Sequence, residues 1–573
     1  MSPKGGKLVV VGGSMSGVEA ATLLALHLSS VNFKPGSSAR GRNAFEVWHV
    51  GTGPFWVLPT YLPHQCTGGS SKDSAVPFVP LDLSLYDLSR RPPGMTELAF
   101  GPVSPDQVSK RHQFFRDMLG KDYSKIGGIN LTDDQGKEDS ERPPWVGIAN
   151  YYAEFVRSGA IKILTGRACS VTHSEPGLGA INVQTSAGMT PVNEVAAIVV
   201  ATGFKPSNSL AFLPQDVLST LEYSKEDHFL PLILDTLSTA HSEVPDLGFV
   251  GFYRGAFWGP AELQAQSLAQ TWATVDLEST VPISLSAEEQ LSRAIERQRV
   301  RDLRNTRPIT RRGQFPLGDY VGLMGSLSGR VKRPRLPLEI DPSTGVQLVG
   351  PVVPARYPPV SVDGDPEGSK RPAQKEVEIT MKALNGTLLA EPDRSCVGTA
   401  AAIFRALHGQ WTFERVAAAR VDEGKEVRSS GKTTFHPRYL SCPDYEAEYL
   451  SEEINDNDPS ITVKSVYRLR DTSRWPKQAG IRVWSVNDKG PCPNSATELV
   501  LELHVGPVGK VFDSGGILVE AGDSGDSRLA RHTYEFYFDR VAITSWCHHM
   551  VCPSKEGDSV SQYTTRYSRP TDT

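Results

Sequence analysis

Residues Lys7 to Ala21 read KLVVVGGSMSGVEAA, and this stretch decides how the first half of the chain folds. KLVVVGG is the unbroken apolar run of a strand buried on both faces. From Ser16 onward, SGVEAATLLALHLSS carries apolar residues at Val18, Ala21, Leu24, Ala25 and Leu28, the spacing of a helix with one buried face. Strand, tight glycine turn and helix start are together the setting of a dinucleotide fingerprint. In such a turn Gly12 and Gly13 follow the strand, with Gly12 making the bend. Gly17 lets helix and strand pack closely, and the backbone N–H groups at the helix start face a pyrophosphate. Ser14 stands where the second glycine would let the backbone approach the phosphate, and its hydroxyl is able to donate to a phosphate oxygen. A tightly packed strand, turn and helix without a ligand is the plainer reading of the same residues.

The next strand tests which nucleotide would fit. An acidic residue at its end would bond the ribose hydroxyls, whereas its absence tolerates a 2'-phosphate. The candidate strand is AFEVWHV, and Gly51, Thr52, Gly53 and Pro54 follow it with no carboxylate. That favours NADP(H) over NAD or the adenosine half of FAD. The nearest arginines, Arg40 and Arg42, precede the strand.

Composition sets the wider frame. A chain of 573 residues is too long for one core, so two or three domains are expected. Hydrophobic residues at 39%, charged residues at 22% and a net charge of -5 describe an ordinary soluble protein, with no electrostatic reason for a nucleic-acid partner. There is no run of 18 apolar residues and no signal-peptide pattern, so no membrane span is expected. Seven scattered cysteines argue against a disulfide framework and for a reducing compartment, the cytoplasm.

Three regimes follow one another. Residues 1–327 alternate apolar runs, helical patterns and glycine turns, which is how an α/β domain with a parallel sheet is written. Residues 328–395 read as a Pro-rich linker, because nine prolines between Pro334 and Pro372 remove too many N–H donors for a helix or central strand. Residues 396–573 open with a short helix, Thr399 to Leu407, followed by runs such as WTFERVAAARV, SITVKSVYRLR, GIRVWSV and HTYEFYFDRVAIT. These predict an antiparallel barrel or sandwich. Asp319 reads as a helix cap, the basic run Arg297 to Arg312 as a solvated helix face, and GPFWVLPTYLP as core and turn packing.

The ordered motifs VVVGGSMSGVEAA, PFWVLP, YAEFVRSGAI, AAIVVATGF and LGFVGFYRGAFWGPAELQAQSLA resemble the later part of the flavin-containing monooxygenase superfamily. There a second fingerprint, G-x-S-x-S-G, binds NADPH, so Ser14 and Ser16 match that pattern. Ala201, Thr202 and Gly203 match the A-T-G-[YF] element at the crossover between nucleotide and flavin domains. The resemblance implies a Rossmann-type fold over about residues 5 to 325 and a monooxygenase using NADPH and FAD on a small-molecule substrate. Gly12, Gly13, Ser14, Ser16, Gly17, Ala201, Thr202 and Gly203 would bind cofactor, and no catalytic base is assigned. The family's earlier FAD fingerprint and its F-x-G-x-x-x-H-x-x-x-[YFW] stretch have no copy here. Three readings follow: an incomplete gene product, a chain holding FAD through its single fingerprint, or a non-catalytic descendant whose barrel carries a small apolar ligand.

In the last third, Gly409 to Trp411 (G-x-W) directly after a helix resembles the lipocalin, or calycin, opening. That implies a tryptophan plugging the barrel base and an arginine near the last strand, Arg566 or Arg569, over its ring. WCHHMVC offers Cys547, His548, His549 and Cys552 as metal ligands. Neighbours in a strand face opposite ways, however, and no second cluster has zinc spacing, so no metal is expected.

Overall fold

The computed structural model describes residues 5–37, 44–53, 55–64, 75–88, 91, 104–121, 128–129, 145–175, 177–228, 230–251, 258–273, 285–306, 319–340, 345, 347–358, 367–389, 391–417, 427–470, 480–487, 490, 492–506, 509–511, 516–523, 530–553 and 560–570. Arg40, Arg42 and the end of the basic run, from Arg307 to Arg312, lie outside them. No helix among the described residues is long and apolar enough to cross a membrane.

The N-terminal part is an α/β domain with a mostly parallel sheet. Gly5–Val11 pairs in parallel with both Ala44–Gly51 and Gly188–Val200, and Ala44–Gly51 pairs in parallel with Ile161–Thr165. Leu178–Thr185 and Arg167–Glu175 extend the Gly188–Val200 edge as an antiparallel meander. The helix Met15–Phe33 covers one face, burying Val18, Ala21 and Ala25 against Val10, Val47 and Phe55. Val9, Val50, Ile181 and Val183 form a second cluster. Phe55 to Leu58 are completely buried, as the aromatic stretch predicts.

Two readings need correction. The segment 328–395 is not all irregular, because a helix runs Glu367–Leu388. After Pro372 the sequence is free of proline as far as Glu391, and Met381, Leu384 and Leu388 fall at helical spacing and pack in one cluster. The proline density is real, but it ends earlier than the linker boundary implied. The basic run is not a solvated face either: within the helix Ala287–Asn305 its arginines dock inward. Arg297 meets the fully buried Asp235 at 2.5 Å, Arg301 reaches Glu222, and Arg304 donates to the carbonyls of Leu230 and Glu222. Asp319 does cap its helix, accepting from the Gly322 amide at 2.8 Å, and also takes a two-point contact from Arg91.

The C-terminal part is a closed antiparallel barrel of ten strands: Gly409–Ala417, Val427–Arg438, Tyr445–Asn455, Asp458–Arg470, Gly480–Val486, Ala496–Val505, Ile517–Asp523, Arg531–Asp539, Ala542–Pro553 and Val560–Ser568. Pairing of the first strand with the last, and of Ala496–Val505 with Ile517–Asp523, completes the ring. Lipocalin barrels have eight strands. The preceding helix, Pro392–Leu407, packs Ile403, Phe404 and Leu407 into the same core as Trp411, Phe435, Tyr449 and Trp546. The N-terminal part also contributes: Ala75–Val76 pairs with Gly509–Val511, and Phe78 meets Phe538.

Trp411 is fully buried, and the Arg569 guanidinium lies 3.8 Å from its ring centre. Of the two candidate arginines, Arg569 is the one that packs there. Arg569 also donates to the carbonyls of Ala406 and His408 and pairs with Glu154 of the N-terminal part at 3.2 Å.

A buried triad fixes the other side of the barrel. Glu448 accepts from Arg438 at 2.6 Å and from Arg468 at 2.8 Å, while Arg438 also donates to the Phe33 carbonyl. Burial alone would raise the Glu448 pKa, but the two guanidinium groups and the Ser441 hydroxyl hold it below the ordinary 4.5. A carboxyl lowered on folding contributes stability that is present above its unfolded value and lost as pH falls through the folded one. Glu448→Gln is therefore expected to flatten the acid limb of the stability curve below pH 4.5, read by urea denaturation. Glu448→Ala, which leaves two cations in the barrel wall without their partner, should cost about 3–5 kcal/mol.

Candidate functional site

At the carboxyl ends of the parallel strands lies a cleft of about 520 Å³. Its floor is the turn from Val11 to Ser16. One wall is Ala201, Thr202 and Gly203, and the other comprises Val50, Thr52, Gly53, Trp145 and Arg167. Seven of the eight residues singled out in the sequence thus share one cavity. The eighth, Gly17, lies directly beneath it and is buried.

The glycines are needed for close approach. Gly12 has φ 137, and a Cβ there would overlap the Ala201 carbonyl. A Cβ on Gly17 would overlap the Gly12 carbonyl oxygen and crowd His49 Nε2 at 3.0 Å. Gly13 is less demanding: a Cβ would make ordinary contacts, 3.5 Å from Gly51 Cα and 3.7 Å from Phe55. Hydrogen bonds tie the strand ends together, Gly12 N–H to Val50 O at 2.9 Å and Ala201 N–H to Val11 O at 2.8 Å. Ser14 occupies the N-cap position in extended conformation, and its side chain makes no capping bond. The first intrahelical bond runs from Val18 N–H to Ser14 O. The amides of Met15, Ser16 and Gly17 therefore have no intrahelical acceptor and carry the positive end of the helix dipole.

The sequence reading missed His49. Two residues before the end of its strand, it sits opposite Val10 in the register and points under the turn. The Gly12 carbonyl can only accept, so His49 Nε2 donates to it at 2.6 Å, and Nδ1 accepts from the Tyr152 hydroxyl at 2.5 Å. One neutral tautomer satisfies both bonds. Burial lowers the His49 pKa from 6.5, against the smaller opposing effect of the Gly12 carbonyl. A base whose pKa falls on folding costs stability as pH drops below its unfolded value, because the unfolded chain then binds more protons. The wild-type chain should thus lose stability between pH 6.5 and 5 more steeply than His49→Gln, measured by denaturant titration at each pH.

The adjacent histidines His548 and His549 separate as strand alternation requires. His548 faces the barrel interior, 2.9 Å from His532 and stacked on Tyr534. His549 lies on the opposite side of its strand with Cys547.

No known family model matches the sequence, and no curated protein matches it. Among solved structures, one described as EF1p2_mFAP2b bound to DFHBI is similar over 29% of this chain and 96% of its own length, at 11% identity and a TM-score of 0.12. A likeness that slight carries no argument about this chain.

Proposed function

We propose that the cleft binds NADP(H) by its diphosphate and that the chain is an oxidoreductase, of the flavin-dependent monooxygenase type that its motifs resemble. The observation that carries this reading is where the cleft sits. The parallel strands lie in the spatial order third, second, first, fourth, an order that supports the reading because the first four strands of a Rossmann-type sheet follow it. Order reverses between first and fourth, and ligands of such sheets bind at that switch point, outside the carboxyl ends of the strands. Here that place is the cleft that Gly12 and Ala201 both line.

The residues present fit a dinucleotide. The amides of Met15 to Gly17 would face the diphosphate, with the Ser14 and Ser16 hydroxyls as further donors. Thr52 and Gly53 leave the ribose side without a carboxylate, and Arg167 supplies a cation in the same cleft. When bound, NADPH supplies a hydride; the chain binds and orients it. FAD rests on the motif resemblance alone, since the cleft offers one diphosphate cradle.

Full-length protein mixed with NADPH separates the alternatives. At a hundredfold excess over its Kd, NADPH should stabilise the fold by about 2.7 kcal/mol, seen as a rise in Tm. Thr52→Asp should reverse any preference for NADPH over NADH. A yellow protein that consumes NADPH and oxygen supports the monooxygenase reading. A colourless one that binds NADPH without turnover leaves a nucleotide-binding protein. No thermal shift with either nucleotide overturns the proposal.

One observation favours a second reading, a binding protein that uses its barrel. The Trp546 indole Nε1 is buried in the barrel core with no hydrogen-bond partner among the described residues, and its ring stacks on Tyr567 at 3.5 Å. A small, mainly apolar ligand with one acceptor would satisfy that donor and quench the tryptophan emission.

A further inference from the structure

We propose that Glu535, Cys547 and His549 form a binding site for one divalent cation, zinc by ligand chemistry, on the outer wall of the barrel. The strands Arg531–Asp539 and Ala542–Pro553 are antiparallel neighbours, and their register sets Glu535 directly opposite Cys547. His549, two residues on, shares the face of Cys547. The alternation that turns Trp546 and His548 inward places these three donors together outside. One donor atom from each lies within 4.8 Å of the others, and His549 Nε2 is 3.9 Å from Glu535 Oε2.

Zinc bonds of about 2.0–2.3 Å in a tetrahedron put ligand atoms roughly 3.3–3.8 Å apart. The three side chains are only partly buried, so the remaining contraction lies within their rotamer freedom.

The surroundings orient the donors. His549 Nδ1 meets the Thr564 hydroxyl of the next strand at 3.1 Å, which leaves Nε2 on the Glu535 side. A bond from the second ring nitrogen is the usual partner of a metal-bound histidine. The Tyr537 hydroxyl donates to Glu535 Oε2 at 2.6 Å. Arg566 stands directly opposite Cys547 on the last strand. A thiolate, an imidazole and a carboxylate select zinc over magnesium or calcium, which take oxygen ligands. The two anions together balance a divalent charge. All three residues line a groove of about 650 Å³, which leaves a fourth coordination position for water.

The test uses the full-length chain, stripped with a chelator and then titrated with zinc by calorimetry and with cobalt(II) by absorption. The expected result is one equivalent of zinc bound and a thiolate-to-cobalt charge-transfer band. Cys547→Ser should abolish the band, and His549→Ala should weaken zinc binding at least 100-fold. Thr564→Val, which removes only the orienting hydroxyl, should weaken it roughly 10-fold. Cys552→Ser, on the same strand, should change nothing. No stoichiometric zinc binding, or a cobalt band that survives Cys547→Ser, overturns the proposal.

Discussion

A Gly17→Val chain is expected to lose NADPH binding entirely and to be destabilised by about 3 kcal/mol or more. The added Cβ would meet the Gly12 carbonyl oxygen, which already accepts from His49. Backbone lies on one side and a fully buried ring on the other, so no flexible side chain can yield. Overpacking of a well-packed interior costs about 1–3 kcal/mol even where side chains can adjust, and here the helix itself must move off the strand. Lifting it by a fraction of an ångström moves the amides of Met15 and Ser16 away from the diphosphate they are proposed to hold. Gly13→Ala is the matched control, because its new methyl group finds only ordinary contacts at Gly51 and Phe55. It should fold and bind like the wild type. The pair is read by urea denaturation and by NADPH-induced thermal shift. Binding that persists in Gly17→Val within twofold would contradict the assignment of this turn.

Arg569→Ala should be the most damaging single change in the C-terminal part, at about 3–5 kcal/mol. Four contacts converge on that guanidinium: the Trp411 face, the carbonyls of Ala406 and His408 at the end of a helix, and Glu154. Removing it leaves the Glu154 carboxylate, only 6% exposed, with Arg157 as its ion-pair partner among the described residues. Breaking a buried pair costs more than the pair contributes, since one charge stays buried uncompensated. Arg569→Lys should recover little, because an ammonium cannot stack flat on the indole while also donating in three directions. A loss below 1 kcal/mol, measured by denaturant titration, would show that the pairing between the two parts is slack.

Much of this architecture was legible in the chain itself. The strand, the glycine turn and the face of the first helix follow from local apolar periodicity, and Gly12 and Gly17 from the steric demand of one tight turn. Trp411 follows from the resemblance that a short motif next to a helix end carries, which left Arg566 and Arg569 both open as its partner. What misled was equally local: proline density hid the helix Glu367–Leu388, and a run of arginines looked solvated because its partners, Asp235 and Glu222, lie some 60–80 residues upstream.

The sequence by itself determined where the backbone must bend, which faces are apolar, and that a parallel sheet precedes antiparallel strands, because these are set by neighbours within a few residues. Only the tertiary structure decided that His49 holds the Gly12 carbonyl, that ten strands close the barrel, and that Glu535 stands across from Cys547. Each of those depends on the register between strands, and register is fixed by how whole faces bury against one another rather than by any residue's own neighbours.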